Sequence, residues 1–262
     1  MKKHLHKLIL FSATACLSAC TAQEPLTDYV DPRIGTAHSR WFFTPAAVPF
    51  GMAKLAPTTD GHLGNPNGWE AVGYDSRHTS IEGFANFHEF QVGGVVVAPT
   101  VGELQTVPGP LDNPDAGYRS RFDKKDEVAR PGYYSVLLKD YGVKAELTAT
   151  ERVGFHRYTF PATEEANLIF NIGTRMGESG PVRDASVTYT DDGRIEGWVV
   201  TEPAYVDIYQ KGATVTMYFS AVLDAEPAAW GAFSGEQTFA GERSRTGVGA
   251  GLYLRFDTRE RQ

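Results

Sequence analysis

The chain has 262 residues, enough for one large domain or two small ones, and its 42% hydrophobic content is ordinary for a globular protein. The formal net charge is −7, but the first nineteen residues hold three lysines and no acid, which leaves 22 basic against 32 acidic side chains beyond them. A surface that acidic, with no basic run, excludes nucleic acid held through its phosphates and leaves neutral polar ligands open.

Residues 1–19 do not belong to the fold. "MKKHLHK" is a positive n-region, "LILFSATAC" is an apolar stretch too short for a mature membrane span, and small residues follow. Leu17-Ser18-Ala19-Cys20 has the form of a bacterial lipobox, in which cleavage leaves Cys20 as a lipidated N-terminus. The alternative is an ordinary secretory signal cut nearby. With Cys16 removed and Cys20 acylated, the mature protein has no free thiol, so a disulfide, a cysteine nucleophile and a thiolate metal site are excluded together. Residues 20–28 then read as a short polar tether, which places the protein outside the cytoplasm on a membrane anchor, in the periplasm or at the cell surface.

From Tyr29 to about Pro110 the chain is rich in Gly and Pro and poor in periodic segments, except for "VGGVVVAPTVG" (92–102), a β-branched run expected to form a buried strand. "PGPLDNPDAGYRSRFDKKDE" (108–127) reads as a polar excursion full of turn formers. After Pro131 the pattern turns regular. "YYSVLLK" (133–139) and "VKAELTAT" (143–150) flank the turn Asp140-Tyr141-Gly142, and six further alternating runs follow between 153 and 257. These short strands, without a convincing helix, predict an all-β fold, an antiparallel β-sandwich over residues 29–262.

Three stretches, in order, resemble the N-terminal domain of bacterial glycoside hydrolase family 92, the exo-acting α-mannosidases. "YVDPRIGTAHSRWFFTPAAVPFGMAKLAPTTD" (29–60) is similar to that family's opening signature, "NGWEAVGYDSRHTSIEGFANFH" (67–88) to its Gly-Trp, Gly-Tyr and Gly-Phe-Ser-His-x-His segment, and "PGYYSVLLKDYGVKAELTATERVGFHRYTFP" (131–161) to its hairpin region. The resemblance implies a galactose-mutarotase-like supersandwich that, in the family, precedes a larger helical toroid. It also implies calcium-dependent, inverting hydrolysis of terminal α-mannosides of glycans, with the catalytic carboxylates and the calcium ligands in the toroid. On that reading this chain is silent alone, and its partners are mannose-containing glycans, the toroid in cis or in trans, and a membrane through the lipid. A lipid-anchored carbohydrate-binding or interaction module without hydrolysis is the alternative.

The same resemblance assigns Gly68, Trp69, Glu70 and His88 to the substrate side of a pocket shared with the toroid. An indole face suits the apolar face of a pyranose, and an imidazole can donate to and accept from sugar hydroxyls without a permanent charge. The bland alternatives are a loop tryptophan anchoring its own backbone and a structural histidine. Asn86 stands where the family has its first histidine, and Glu89-Phe90-Gln91-Val92-Gly93 replaces the usual continuation, which implies a differently shaped pocket. Asp75, Glu82 and Glu89, with Glu70, invite a two-carboxylate mechanism, but acids in an acidic exported protein are mostly solvated surface charges, and no catalytic pair is assigned here. His38, Arg40 and Trp41, like His62 and His78, read as loop residues without metal-ligand spacing. His156, inside a strand, reads as structural. Pro49-Phe50-Gly51-Met52 reads as a packing turn.

Overall fold

The computed structural model describes residues 24–37, 43–60, 73–87, 94–174 and 180–260. In chain order the strands open with β1 (Ala56–Thr58), β2 (Ser80–Ile81), β3 (Gly83–Ala85), β4 (Val96–Val101), β5 (Ser120–Arg121) and β6 (Val128–Arg130). The hairpin region gives β7 (Tyr133–Leu138), β8 (Val143–Ala149), β9 (Gly154–Thr159), β10 (Ala166–Asn171), β11 (Val182–Tyr189) and β12 (Arg194–Thr201). One short helix, α1 (Ala204–Tyr209), precedes β13 (Val215–Val222), β14 (Ala229–Ser234), β15 (Gln237–Ala240), β16 (Ser244–Thr246) and β17 (Ala250–Phe256). The fold is the all-β, antiparallel sandwich that the alternation predicts.

Its frame is a seven-stranded sheet in the order β1-β3-β4-β10-β17-β14-β15. Strand β10 sits at the centre, hydrogen-bonded to β4 and β17, and all six of its residues are buried. Covered on both faces, it reads in sequence as an unbroken apolar-and-Asn run rather than as an alternation. One face of this sheet carries a second layer in two halves. Over β10, β17 and β14 lies the sheet β13-β12-β11-β16, closed by Leu168, Phe170, Leu252, Leu254, Val187 and Val199. Over β1 and β3 lies β6-β7-β8-β9, closed by Leu55, Phe84, Tyr134, Val136, Ala145 and Leu147. Tyr158 of β9 packs against both half-cores and joins them.

The opposite face is covered by the segment from Leu104 to Tyr118, whose Tyr118 joins Ala98, Ile169, Phe233 and Tyr253. The excursion 108–127 is therefore more than a polar loop. It places Tyr118, Arg119, Phe122 and Glu127 in the interior, because its turns return side chains to the sheet at intervals too irregular to show a period. Three strands that carry no clear alternation, β14 to β16, complete the sheets. In β14, Gly231 lies beneath the Tyr253 ring, where a Cβ would come within 2.4–2.6 Å of it, so packing there demands a glycine in mid-strand.

Candidate functional site

Gly68, Trp69, Glu70 and His88, like His38, Arg40, Trp41, His62, Glu89 and Cys20, lie outside the described residues. What the structure describes is the framework from which the segments carrying the predicted pocket residues depart.

The segment 61–72 is cinched at its base. The Thr59 and Asp60 N–H groups both donate to the Gly73 carbonyl, at 2.7 and 2.8 Å, and the Thr59 hydroxyl donates to the same oxygen at 3.1 Å. That hydroxyl accepts from the Asp75 N–H at 2.9 Å and lies 2.9 Å from His78 Nδ1. Because its single proton points at Gly73, the histidine supplies the proton on the Nδ1 side. His78 is thus built into a network rather than free on a loop.

Two acids close this base. Asp75 is fully buried and receives a fork from Arg77, with Nε at 2.9 Å, Nη2 at 2.6 Å and the backbone N–H at 2.8 Å. Burial pushes its pKa upward, but these Arg77 bonds outweigh that and hold it at about 2. Glu82 is buried against Arg119 Nη2 at 2.6 Å, while Arg119 Nη1 reaches the Thr59 carbonyl at 2.5 Å and the Ser80 hydroxyl at 3.2 Å. These two carboxylates are not the solvated charges expected of them. Each neutralises a guanidinium that folds the base of the segment, which also commits it to a structural task. Behind them Tyr74, stacked on Phe43 at 3.8 Å, donates to the buried Glu127 at 2.9 Å, and Tyr134 donates to the same carboxylate at 2.8 Å.

A second clamp holds the segment 88–93. The Asn86 side chain donates from Nδ2 to the Val95 carbonyl at 2.7 Å, tying together the residues that flank this segment. Its Oδ1 accepts from His156 Nε2 at 2.8 Å, and His156 Nδ1 in turn accepts from the Tyr158 hydroxyl at 2.8 Å. Burial lowers the His156 pKa to about 4, so the imidazole is neutral with its proton on Nε2. Gly154 lets β9 come this close, since a Cβ there would meet Leu55 and the Asn86 oxygen. Val95 holds a φ of +52°, a strained value for a β-branched residue, and the surrounding bonds hold it there. Asn86 and His156 are 70 positions apart, so sequence reasoning had no means of pairing them.

The two clamps lie at opposite ends of one short ladder. Thr58 pairs with Gly83 beside the 61–72 base, and Ala56 pairs with Ala85 beside the 88–93 base. At about 3.3 Å per residue the two bases stand roughly 10–15 Å apart along the edge of the large sheet.

Exposed apolar side chains lie near the second clamp. The Met52 and Ala53 N–H groups donate to the Glu151 carbonyl at 2.6 and 3.2 Å, and Phe50, Met52, Val153 and Phe155 are all exposed. The Pro49–Met52 segment does form a turn, closed by the Gly51 N–H on the Val48 carbonyl at 3.0 Å, but Phe50 and Met52 point outward. It is not the packing turn expected. Phe50, at a φ of 61°, directs its ring to solvent. Among the described residues no group of three His, Cys, Asp or Glu is disposed to hold a metal ion, and no helix is long and apolar enough to cross a membrane.

The comparisons with known proteins agree with this fold. The Glycosyl hydrolase family 92 N-terminal domain matches residues 29–262. A protein of Arthroderma benhamiae described as an uncharacterized secreted glycosidase is 32% identical over 142 residues, which are 51% of this chain and 17% of that protein. The structure of a family GH92 alpha-mannosidase from Bacteroides thetaiotaomicron superposes with a TM-score of 0.79 at 27% identity, over 88% of this chain and 31% of that one. A GH92 inverting mannosidase of the same bacterium shares the fold, with a TM-score of 0.62 at 19% identity, over 90% of this chain and 30% of that one. The chain therefore spans about a third of the length of these solved structures.

Proposed function

Because the chain belongs to glycosyl hydrolase family 92, as its N-terminal domain, we propose that it is the carbohydrate-facing module of an exported α-mannosidase. The carrying observation is that the predicted pocket residues Trp69 and His88 fall on two segments whose bases are separately clamped on one sheet edge. Such clamping is how a scaffold presents recognition loops. The bacterial relative, 28% identical in its second structure, was solved with mannoimidazole bound, which supports a mannoside as substrate.

In this reading the chain binds and orients the terminal mannose, with the Trp69 indole against the sugar face and Gly68, Glu70 and His88 around it. Inversion needs an acid and a base about 6.5–9.5 Å apart on opposite faces of the sugar. Asp75 and Glu82 are already committed to Arg77 and Arg119, which fits the implication of the family resemblance that the pair comes from the helical toroid. In this reading the calcium ligands lie in the toroid with the acid and base, as the family resemblance implies. The exposed Phe50, Met52, Val153 and Phe155 beside the second clamp are the surface the toroid would cover. This patch weighs against an independent binding module, whose surface would be polar away from its ligand. Export follows from the lipobox Leu17–Cys20 and fits the relative described as secreted.

The test is mannose release from an α-mannoside, with and without calcium. The purified chain alone is expected to release none, and release by it would overturn this division of labour. Joined to or mixed with a family toroid, release should appear, and Trp69→Ala should lower kcat/KM by about tenfold or more.

A further inference from the structure

We propose that the outer face of the sheet β13-β12-β11-β16 is a second, non-catalytic glycan-binding surface, built on Trp198 and Tyr218. In β12 and β13 the odd-numbered residues Ile195, Val199, Met217 and Phe219 face the half-core. By alternation the even-numbered ones face outward. Trp198 pairs directly with Tyr218, which puts the two rings on neighbouring strands of one face, with Cβ atoms about 4.5–5.5 Å apart. Tyr218 is 73% exposed and Trp198 is half-buried.

The contrast with the other described tryptophan is informative. Trp230 packs under the Arg243 guanidinium at 4.6 Å and beside Tyr189 at 5.5 Å, so its ring is used by the fold. Among the described residues, no ring or cation stacks on Trp198 or Tyr218. Two cross-strand aromatic side chains on one sheet surface, Tyr218 exposed and Trp198 half-buried, suit the apolar face of a pyranose.

The surrounding groups suit its hydroxyls. The next row pairs Ser220 with Glu196 and Glu196 with Thr188, and the row through Trp198 continues to Ser186 and Thr246. The Ser220 hydroxyl lies 3.3 Å from Glu196 Oε1 and 3.4 Å from Arg194 Nη1. Arg194 is balanced by Asp192 at 3.3 Å, so the surface offers donors and acceptors with no surplus positive charge. A neutral oligosaccharide fits that chemistry better than an anionic one. A protein partner fits less well, since most outward positions in the rows beside the two rings are polar: Ser186, Thr188, Glu196, Thr216 and Ser220. Strand β13 is also the edge of its sheet, so a glycan chain can run past Tyr218 without meeting another strand.

The surface is distinct from the Trp69 segment, and the proposal stands whether or not the chain takes part in hydrolysis. It is tested by native affinity electrophoresis of the full chain in gels containing α-mannan, hydroxyethyl cellulose or pullulan. The wild-type chain is expected to be retarded by at least one of these. Tyr218→Ala should weaken the apparent Kd by about fivefold and Trp198→Ala more, while Tyr29→Ala, at an exposed aromatic outside both surfaces, leaves it unchanged. Thermal midpoints check the fold, and the exposed Tyr218 supplies a truncation that leaves packing intact if Trp198→Ala does not fold. A wild-type chain retarded by none of the three overturns the proposal, and so does retardation that survives both platform variants or is lost only in Trp69→Ala.

Discussion

At the scale of single residues, His156 shows how burial and hydrogen bonding together choose a protonation state. The unfolded chain takes up its proton near 6.5 and the folded one near 4. The stability contributed by the neutral imidazole is therefore complete above pH 6.5 and is lost as the pH falls through that window, by about 1–3 kcal/mol after allowance for its partial exposure. Urea midpoints measured from pH 7 to 4 should fall in the wild type and stay flatter in His156→Gln. Asp75 acts in a separate, lower window. Its folded pKa of about 2 lies below the usual 3.8, so its contribution is present above pH 3.8 and is lost only as the pH falls toward 2. Asn86 holds both His156 Nε2 and the Val95 carbonyl, and Asn86→Ala leaves two polar groups unpaired, for a loss of about 1–3 kcal/mol in urea unfolding.

At the scale of elements, the base of the 61–72 segment depends on one buried ion pair. Glu82→Ala leaves the Arg119 guanidinium inside without its carboxylate, and the expected loss is about 3–5 kcal/mol, read by denaturant titration. Arg119→Met combined with Glu82→Leu should cost less than that single change, because no charge then remains buried. The strands after Pro131 were legible because turn residues separate runs that alternate against a half-core. Strand β14 was not, since Gly231 answers to the Tyr253 ring rather than to a period, and β15 and β16 are only four and three residues long. The excursion 108–127 hid Arg119 for a similar reason: its partners Thr59, Ser80 and Glu82 lie 37 to 60 residues away. The candidate residues Gly68, Trp69, Glu70 and His88 lie outside the described residues, and the structure describes only the ends of the segments that carry them. The pairing of Asn86 with His156 depends on the approach of β9 to β3, which no local pattern encodes.

At the scale of the whole molecule, one seven-stranded sheet carries two half-cores that meet at Tyr158. The buried β10 belongs to the most protected part of that sheet, and the edge strand β13 does not. Amide hydrogen exchange should be slowest through Ala166–Asn171 and much faster along the outer edge of Val215–Val222. The exposed Phe50 and Met52 predict a different behaviour. Replacing both with Ser should reduce concentration-dependent light scattering of the isolated chain while moving the thermal midpoint little, because neither side chain contributes to a core.

The hydrogen bonds that join Thr59 and Asp60 to Gly73 have a consequence for how this fold can diversify. They fix the closure of the segment independently of what lies between its ends. Doubling the length of such an insertion costs only about 0.6 kcal/mol in closure entropy. Insertions, deletions and wholesale replacement between 61 and 72 can therefore accumulate over evolutionary time without unfolding the sandwich, so that this segment diversifies while the scaffold persists.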